Sequence, residues 1–528
     1  MLPQRVRADA PHFESLLASG WIPSLLIGIG VVLRVARFID NRSLWLDEST
    51  LALNIVNRSF GQLLDPLSFE QGAPAGFLAA EKLAIKAFGD SEYALRLPPL
   101  LAGLVALILF WLIARRLLPR PAAILALAFY VVLEPLIYYS TELKQYSFDV
   151  AVALGLIYLA LVLRVDQSRR VLQAFALGIA GAALMWLSFS SVFALAGIGI
   201  GLSVSAAARR DWPGLRTLVI PAGLWLTSFA AFYAVSIGDT SDVQRAIFRE
   251  AEGTATQKLQ IFKNLFGIYS YPGGMARSLV GLAVVVAVVG SFALYRTQRA
   301  AFFVFAAMAA VTLAAAAIGK YPFTGRFVLF LLPLALLVLA QGAEEIRRGA
   351  EGRFRLFGVA LILLLLGPIS AEAAANLVRP PGQEEIKPVL SYLDEHWQAG
   401  DVLYVHWPSQ FAFRYYLECS DCGVFSGKDR PPWQLRPRRL TPNDRDNAML
   451  SNPPELIIGL RGIDAVDPYL ADLDQIPHEK RVWFLFSHTI TRGGIAEGPF
   501  FLVYLDHIGK RLAEFKRTGS AVYLYDLR

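Results

Sequence analysis

The chain has 528 residues, of which 55% are hydrophobic and 18% are charged, and its mean hydropathy is +0.46. Because soluble proteins usually contain about 25% charged residues, this composition predicts a membrane protein. Its two cysteines exclude a disulfide-rich scaffold and a Cys-rich zinc or iron–sulfur module.

The net charge of +7 originates in the hydrophobic part of the chain. Residues 1–371 contain 32 Lys and Arg against 22 Asp and Glu, whereas residues 372–528 contain 18 against 21. Cytoplasmic loops of membrane proteins are rich in Lys and Arg, and no basic stripe interleaved with aromatic residues is present. We therefore expect membrane lipids around residues 1–371 and no nucleic-acid partner.

About eleven segments approach the roughly 20 apolar residues that cross a bilayer, although several are short. Lys and Arg cluster at alternate connections, which predicts a cytoplasmic N-terminus. No small-residue cleavage pattern follows Val35, so the first segment is predicted to be a retained signal anchor. An odd number of spans then places residues 372–528 outside. The segments are 21–38, 96–114, 121–138, 147–164, 171–188, 190–207, 216–236, 277–295, 300–318, 327–344 and 356–371.

The predicted fold class is an α-helical polytopic membrane domain, residues 1–371, followed by an external α/β domain, residues 372–528. The first external loop, 39–95, contains an apolar stretch, Ala75–Phe88, that is too short to cross and predicts an interfacial helix. Further external connections are expected at 138–146, 237–276 and 319–326.

The tail alternates helical with β-rich stretches, which is typical of a small α/β domain. The helices are predicted at Glu384–His396, Gln410–Glu418 and Phe501–Phe515, and the strands at 402–406, 482–486 and 521–525.

Two adjacent carboxylates, Asp47 and Glu48, follow the first span beside Trp45. Partial loss of hydration at a bilayer interface raises the pKa of a carboxyl group and makes its anion a useful proton acceptor. The alternative is that Asp47 only caps the helix-compatible run 48–56.

The second external loop adds another carboxylate, Glu142, a cation, Lys144, and three tyrosines that include Tyr139 and Tyr146. Tyrosines also occur as a belt at the membrane interface. Glu142 and Lys144 are two residues apart, so they do not face each other on a helix and are not explained as a local ion pair.

Three more cations are expected on the external side: Arg96, Lys320 and Arg326. The positive-inside rule predicts few cations there, so their presence favours an anionic ligand. The alternative is that they reach lipid headgroups.

A transition-metal site is not expected in the membrane half, because residues 13–395 contain neither His nor Cys. We expect no cofactor, and a carboxylate-bound Mg²⁺ or Mn²⁺ is the only metal left open. Cys419-Ser-Asp-Cys422 is interpreted as a local disulfide or as two structural thiols.

Four segments carry a resemblance to a known family: Leu44-Trp-Leu-Asp-Glu48, Gln71-Gly-Ala-Pro-Ala-Gly-Phe77, Ala94-Leu-Arg-Leu-Pro-Pro99 and Tyr138-Tyr-Ser-Thr-Glu-Leu-Lys-Gln-Tyr146. Together they resemble the GT-C glycosyltransferases, and more narrowly the bacterial branch similar to protein O-mannosyltransferases and lipid A aminoarabinose transferases. The resemblance covers about residues 20–345. It implies a multi-pass protein of the bacterial inner membrane with a periplasmic C-terminal domain.

The resemblance further implies transfer of a sugar from a polyprenyl-phosphate carrier to an unidentified lipid, glycan or protein acceptor. Asp47 would be the base, Glu48 its neighbour, and Glu142 the acidic residue of the second loop. Relatives place a basic residue where this chain has Ala73 before Pro74. We therefore assign the phosphate to other residues, which are Arg96, Lys144, Tyr139, Tyr146, Lys320 and Arg326.

Two other functional classes are alternatives to a glycosyltransferase. A transporter or flippase of a lipid-linked sugar would favour charges deep within spans, whereas the charges here are in loops or at span ends. An adhesion or scaffold protein is supported only by the size of residues 372–528.

Overall fold

The computed structural model describes residues 20–163, 169–236, 275–323, 325–349, 354–425, 455–461, 467–478, 480–489, 491–492 and 495–527. The external connection predicted at 237–276 lies almost entirely outside these residues.

Each of the eleven predicted spans overlaps a helix, so the prediction of a polytopic helical membrane protein is confirmed. Long uninterrupted apolar runs form these helices because a helix satisfies its own backbone hydrogen bonds within lipid. They are Trp21–Ile39, Glu92–Leu117, Arg120–Val132, Tyr146–Val162, Arg170–Leu184, Ser191–Ala208, Val219–Ser236, Met275–Thr297, Arg299–Ala317, Leu332–Gly349 and Phe354–Val378.

Among the described residues, eight helical segments are long and apolar enough to cross a bilayer. A ninth is formed if Arg120–Val132 and the segment Glu134–Thr141, which meet at an angle of 62°, count as one span. Pro135 accounts for this break, since it cannot donate the hydrogen bond that would continue the first helix. Tyr146–Val162 and Gly281–Thr297 are shorter apolar helices, so eleven spans require that both cross.

Two helices approach backbone to backbone at small residues. A Cβ atom at Gly290 of Met275–Thr297 would overlap the Val338 carbonyl oxygen. A Cβ atom at Gly342 of Leu332–Gly349 would overlap the Val286 carbonyl oxygen. Glycine at both positions therefore permits the close packing that holds membrane helices together.

The chain divides into two compact units. The helical unit comprises residues 1–39, 73–77 and 98–379. The sheet unit comprises residues 380–528 together with 40–72 and 78–97, so most of the first loop packs with the tail. Residue 371, the boundary proposed from composition, falls within the helix Phe354–Val378.

The sheet unit contains a five-stranded sheet, whose strands are Val402–Val405 (β1), Leu456–Ile458 (β2), Arg481–Ser487 (β3), Lys510–Arg517 (β6) and Ser520–Asp526 (β7). Their order is β2-β1-β3-β7-β6, in which β1 is parallel to β2 and β3, and β7 is antiparallel to β3 and β6. A short ladder joins Thr491–Arg492 (β4) to Ile495–Ala496 (β5). The α/β prediction for the tail is confirmed.

The helices of the tail are Lys387–His396, Ser409–Glu418, Asp467–Leu473 and Glu497–Ile508. The predicted helix Phe501–Phe515 is wrong in its second half, because the helix ends at Ile508 and β6 follows Gly509. From Lys510 to Phe515, exposed residues alternate with half-buried ones, which is the period of a strand rather than of a helix.

The first loop contributes two helices. Ala75–Phe88 forms the predicted short helix. Leu46–Asn57, hereafter the first-loop helix, is buried from Glu48 to Ile55.

Candidate active site

The first-loop helix begins at Leu46, so Asp47 and Glu48 lie in its first turn. The N-cap position is Trp45, whose side chain makes no capping hydrogen bond. Asp47 therefore lies inside the helix and is not its N-cap residue. Carboxylates in a first turn interact favourably with the positive end of the helix dipole.

Glu48 is fully buried in an ion pair. Arg96 donates from Nε to Glu48 Oε1 at 3.0 Å and from Nη2 to Glu48 Oε2 at 2.7 Å. Arg42 Nη2 lies 3.7 Å from Glu48 Oε1. Removing one partner would leave a buried charge uncompensated, which typically costs about 3–5 kcal/mol.

Arg96 also holds the backbone of the loop. Its Nη1 donates to the carbonyl oxygen of Arg42 at 2.6 Å, and its Nη2 donates to that of Ser43 at 3.3 Å. Its side chain is only 2% exposed. This geometry favours a structural role for Arg96 over the predicted phosphate contact.

The two adjacent carboxylates differ in accessibility. Glu48 has no exposed surface, whereas Asp47 is partly exposed. Successive residues of a helix point about 100° apart, so burial of one side chain is compatible with access to the next. Asp47 is the solvent-accessible carboxylate of this pair.

The remaining predicted residues lie in the helical unit. Glu142 and Lys144 are buried, and the Lys144 backbone N–H donates to the Glu142 carbonyl oxygen at 2.7 Å. This tight turn lies between Tyr139–Thr141 and the helix Tyr146–Val162.

Aromatic contacts bring three of the predicted residues together. The rings of Tyr139 and Tyr146 lie 5.2 Å apart, edge to face. The guanidinium of Arg326 lies 5.4 Å from the centroid of the Tyr146 ring, within the range of a cation–π contact. Lys320 is exposed in the connection before Arg326.

The structure thus distributes the predicted residues over both compact units. Asp47, Glu48 and Arg96 belong to the sheet unit. Those in the helical unit are Tyr139, Glu142, Lys144, Tyr146, Lys320 and Arg326.

Sequence reasoning missed a buried polar cluster in the helical unit. Ser188 Oγ donates to Asp149 Oδ1 at 2.5 Å, and Ser188 Oγ lies 3.1 Å from Ser190 Oγ. Ser188 Oγ also accepts from the Ser191 backbone N–H at the start of the helix Ser191–Ala208. The run Ser188-Phe-Ser-Ser191, and the presence of Asp149 within the apolar helix Tyr146–Val162, were weak sequence signals for this cluster.

Sequence reasoning also missed contacts between the first loop and the tail. Glu384 Oε2 accepts from the Leu46 backbone N–H at 3.0 Å. Glu385 Oε2 accepts from the Ser43 hydroxyl at 3.1 Å, and Lys387 Nζ donates to the Asn41 carbonyl oxygen at 2.6 Å. No local pattern predicts contacts between residues separated by more than 330 positions.

Two further observations bear on the chemistry. Within the described residues, no group of three or more His, Cys, Asp or Glu side chains is arranged to hold a metal ion. Cys419 and Cys422 form a disulfide, as the first of the two interpretations expects.

Comparison with known proteins gives a family match over part of the chain and a similar fold. Residues 73–235 match the model of the dolichyl-phosphate-mannose-protein mannosyltransferase family. No curated protein matches the sequence.

Two solved structures of low sequence identity have a similar fold. ArnT from Cupriavidus metallidurans in the apo state is 12% identical, with a TM-score of 0.50 over 96% of this chain and 98% of that chain. AglB, an archaeal oligosaccharyltransferase from Archaeoglobus fulgidus solved with an inhibitory peptide and a dolichol-phosphate, is 12% identical, with a TM-score of 0.50 over 96% of this chain and 74% of that chain.

These findings support a glycosyltransferase in general, and none supports the transporter alternative. The resemblance to the GT-C glycosyltransferases is confirmed, because residues 73–235 match one of their family models and the chain has their fold.

Proposed function

We propose that the protein is an inverting membrane glycosyltransferase that takes a sugar from a polyprenyl-phosphate carrier. It passes this sugar to a hydroxyl or phosphate of a lipid, glycan or protein on the external face. The family match over residues 73–235 supports this class of reaction.

In the proposed reaction, the Asp47 carboxylate accepts the proton of the acceptor group. The acceptor oxygen attacks the anomeric carbon opposite the carrier, a new glycosidic bond forms, and the bond to the phosphate oxygen breaks. The leaving polyprenyl phosphate keeps the electron pair and therefore needs positive charge more than it needs a proton.

The observation that carries the proposal is the contrast within the Asp47–Glu48 pair. Glu48 is buried against Arg96, so it fixes the first turn of the first-loop helix. Asp47 is partly exposed on the same turn. A rigidly held and accessible carboxylate suits a general base, since such a group must be within hydrogen-bond reach of the substrate.

Cations of the helical unit are the proposed phosphate contacts. Arg326 is oriented by the Tyr146 ring, which in turn contacts Tyr139. Lys144 and the exposed Lys320 add positive charge on neighbouring connections. Glu142 is proposed as the second acidic residue, in the same turn as Lys144.

The reaction is proposed to occur at the external face of the bacterial inner membrane and without a resident cofactor. A disulfide at Cys419–Cys422 supports an oxidising compartment for the sheet unit. Lys and Arg clusters at alternate connections support a cytoplasmic N-terminus.

The test is a transfer assay with the full chain in lipid nanodiscs. A panel of radiolabelled polyprenyl-phosphate sugars is incubated with the protein, with and without EDTA. We expect release of sugar from one donor, to water or to an added lipid extract. Absence of release from every donor, together with donor movement across proteoliposomes, would instead support a transporter.

A further inference from the structure

Deepening the proposed function on which it rests, we infer that Glu384 and His488 act together as positioning residues for the catalytic carboxylate Asp47. Neither is close to the first loop in the sequence, and both belong to the sheet unit that contains Asp47.

The first-loop helix lacks a cap of its own. An α-helix leaves its first four backbone N–H groups without intrahelical partners, and a residue at the N-cap usually supplies an acceptor. Here Trp45 occupies that position and makes no side-chain capping bond. Glu384 supplies the acceptor instead, with its Oε2 3.0 Å from the Leu46 nitrogen.

Glu384 is itself oriented by His488. The Nδ1 atom of His488 lies 2.5 Å from Glu384 Oε1, while Glu384 Oε2 is used for the helix. One carboxylate therefore joins the imidazole ring to the residue that precedes Asp47. The ring centroid of His488 also lies 6.5 Å from that of Trp45.

The charge of His488 fits this role. Burial opposes the charged ring, but the hydrogen bond and negative charge of Glu384, with the charges of Asp47 and Glu497, outweigh it and raise the pKa of His488. A histidine with a raised pKa carries more positive charge near neutral pH. The ring can then donate to Glu384 and attract Asp47.

The backbone at both ends of this arrangement is unusual. His488 has φ = 53° directly after β3, and Asn41 has φ = 45° at the start of the loop. Left-handed backbone costs a non-glycine residue free energy, and such residues concentrate where function requires a fixed geometry. The Asn41 carbonyl oxygen is held by Lys387 Nζ, three residues after Glu384.

The test combines kinetics with hydrogen exchange on the full chain in nanodiscs. Glu384→Gln, His488→Ala and the double variant are compared with Glu395→Gln and His507→Ala, which change exposed residues of the same unit. We expect turnover to fall about 10- to 100-fold in each test variant while KM for the donor stays constant, because misplacement of a catalytic group affects the transition state. The double variant should lose little more than the worse single variant.

Hydrogen exchange provides a readout that does not need activity. In Glu384→Ala, backbone amides of the peptide covering residues 44–50 should exchange faster, while those of β1 and β3 should not change. If amides throughout the sheet unit exchange faster in Glu384→Ala, this variant has a disturbed fold. The kinetics of Glu384→Gln and His488→Ala then decide whether the two residues position Asp47.

Several results would overturn the inference. A rise in donor KM at unchanged turnover would mean that these residues bind donor, and additive losses in the double variant would mean that they act independently. If both single variants have normal turnover while Asp47→Asn is inactive, the proposed function is retained, but Glu384 and His488 do not position Asp47. If no donor reacts with the wild-type protein, the proposed function fails and the exchange of residues 44–50 alone tests the positioning.

Discussion

At the residue scale, two neighbouring carboxylates have different environments although the sequence presents them as a pair. Burial and the bidentate contact with Arg96 give Glu48 a structural task. Asp47 is left at the accessible side of the same turn. Glu48 is paired because of Arg96, which is 48 positions away in the sequence. Two adjacent acidic residues in the sequence therefore do not indicate which of them is buried.

Replacing Asp47 with Asn should reduce turnover by at least about 10²-fold, because Asn keeps the shape of the side chain but cannot accept the proton. Sugar transfer from the donor identified in the panel is the measurement. Asp65→Asn, which changes an exposed aspartate of the same loop, is the matched control and should behave as wild type. Near-normal turnover of Asp47→Asn would reject Asp47 as the base.

Glu48→Gln should act differently from Asp47→Asn. It removes the charge that pairs with Arg96, so we expect a lower unfolding temperature of the sheet unit as well as lower turnover. A stable Glu48→Gln protein that is inactive, together with an active Asp47→Asn protein, would reverse the two roles.

Glu81 gives a pH-dependent prediction. It is fully buried on the helix Ala75–Phe88, and neither carboxylate oxygen has a hydrogen-bond partner among the described residues. Burial raises the pKa of Glu81 well above its usual value. Since the folded pKa is the higher one, stability is complete below the unfolded pKa of about 4.3 and is lost as pH rises through the folded pKa.

Glu81→Gln cannot ionise, so it should remove this loss. The difference in unfolding temperature between Glu81→Gln and wild type should therefore increase from pH 4 to pH 9. The same difference for Glu395→Gln, which changes an exposed residue, should stay constant. Parallel curves for wild type and Glu81→Gln would show that Glu81 does not titrate with unfolding.

At the element scale, helices were more predictable than contacts. Each long apolar run of the sequence became a helix, because lipid leaves the backbone no other way to satisfy its polar groups. The helix predicted at Phe501–Phe515 includes the first six residues of the strand Lys510–Arg517, because pairing with β7, which identifies the strand, is not visible in the sequence. Glu384 and His488 were missed because Glu384, which contacts the first-loop helix, is 338 positions from Leu46, and His488 is a further 104 positions away.

The packing of Met275–Thr297 against Leu332–Gly349 should not tolerate a side chain at Gly290. Gly290→Val would place methyl groups where the Val338 backbone lies, and such overpacking typically costs about 1–3 kcal/mol or more. Gly281→Val is a matched control on the same helix, where a Cβ atom meets nothing within 4 Å. We expect a lower unfolding temperature for Gly290→Val alone, and equal temperatures for the two variants would contradict close packing at Gly290.

At the scale of the whole molecule, the proposed reaction requires the sheet unit to be on the external side, because polyprenyl-phosphate sugars are proposed to be used there. An external location of residues 372–528 requires an odd number of spans, and the segment 356–371 is the shortest of the eleven predicted from the sequence. The structure extends that segment to a helix of 25 residues, Phe354–Val378, which is long enough to cross. The disulfide Cys419–Cys422 agrees with an external location.

A cysteine introduced at Thr518 tests this placement. Thr518 is exposed in the turn between β6 and β7, and both native cysteines are in the disulfide, so the new thiol is the one that reacts. We expect Thr518→Cys to react with a membrane-impermeant maleimide in intact spheroplasts. Arg209→Cys, in a connection predicted to be cytoplasmic, should react only after lysis. The opposite pattern would place the sheet unit, and Asp47 with it, in the cytoplasm, where the proposed external reaction could not occur.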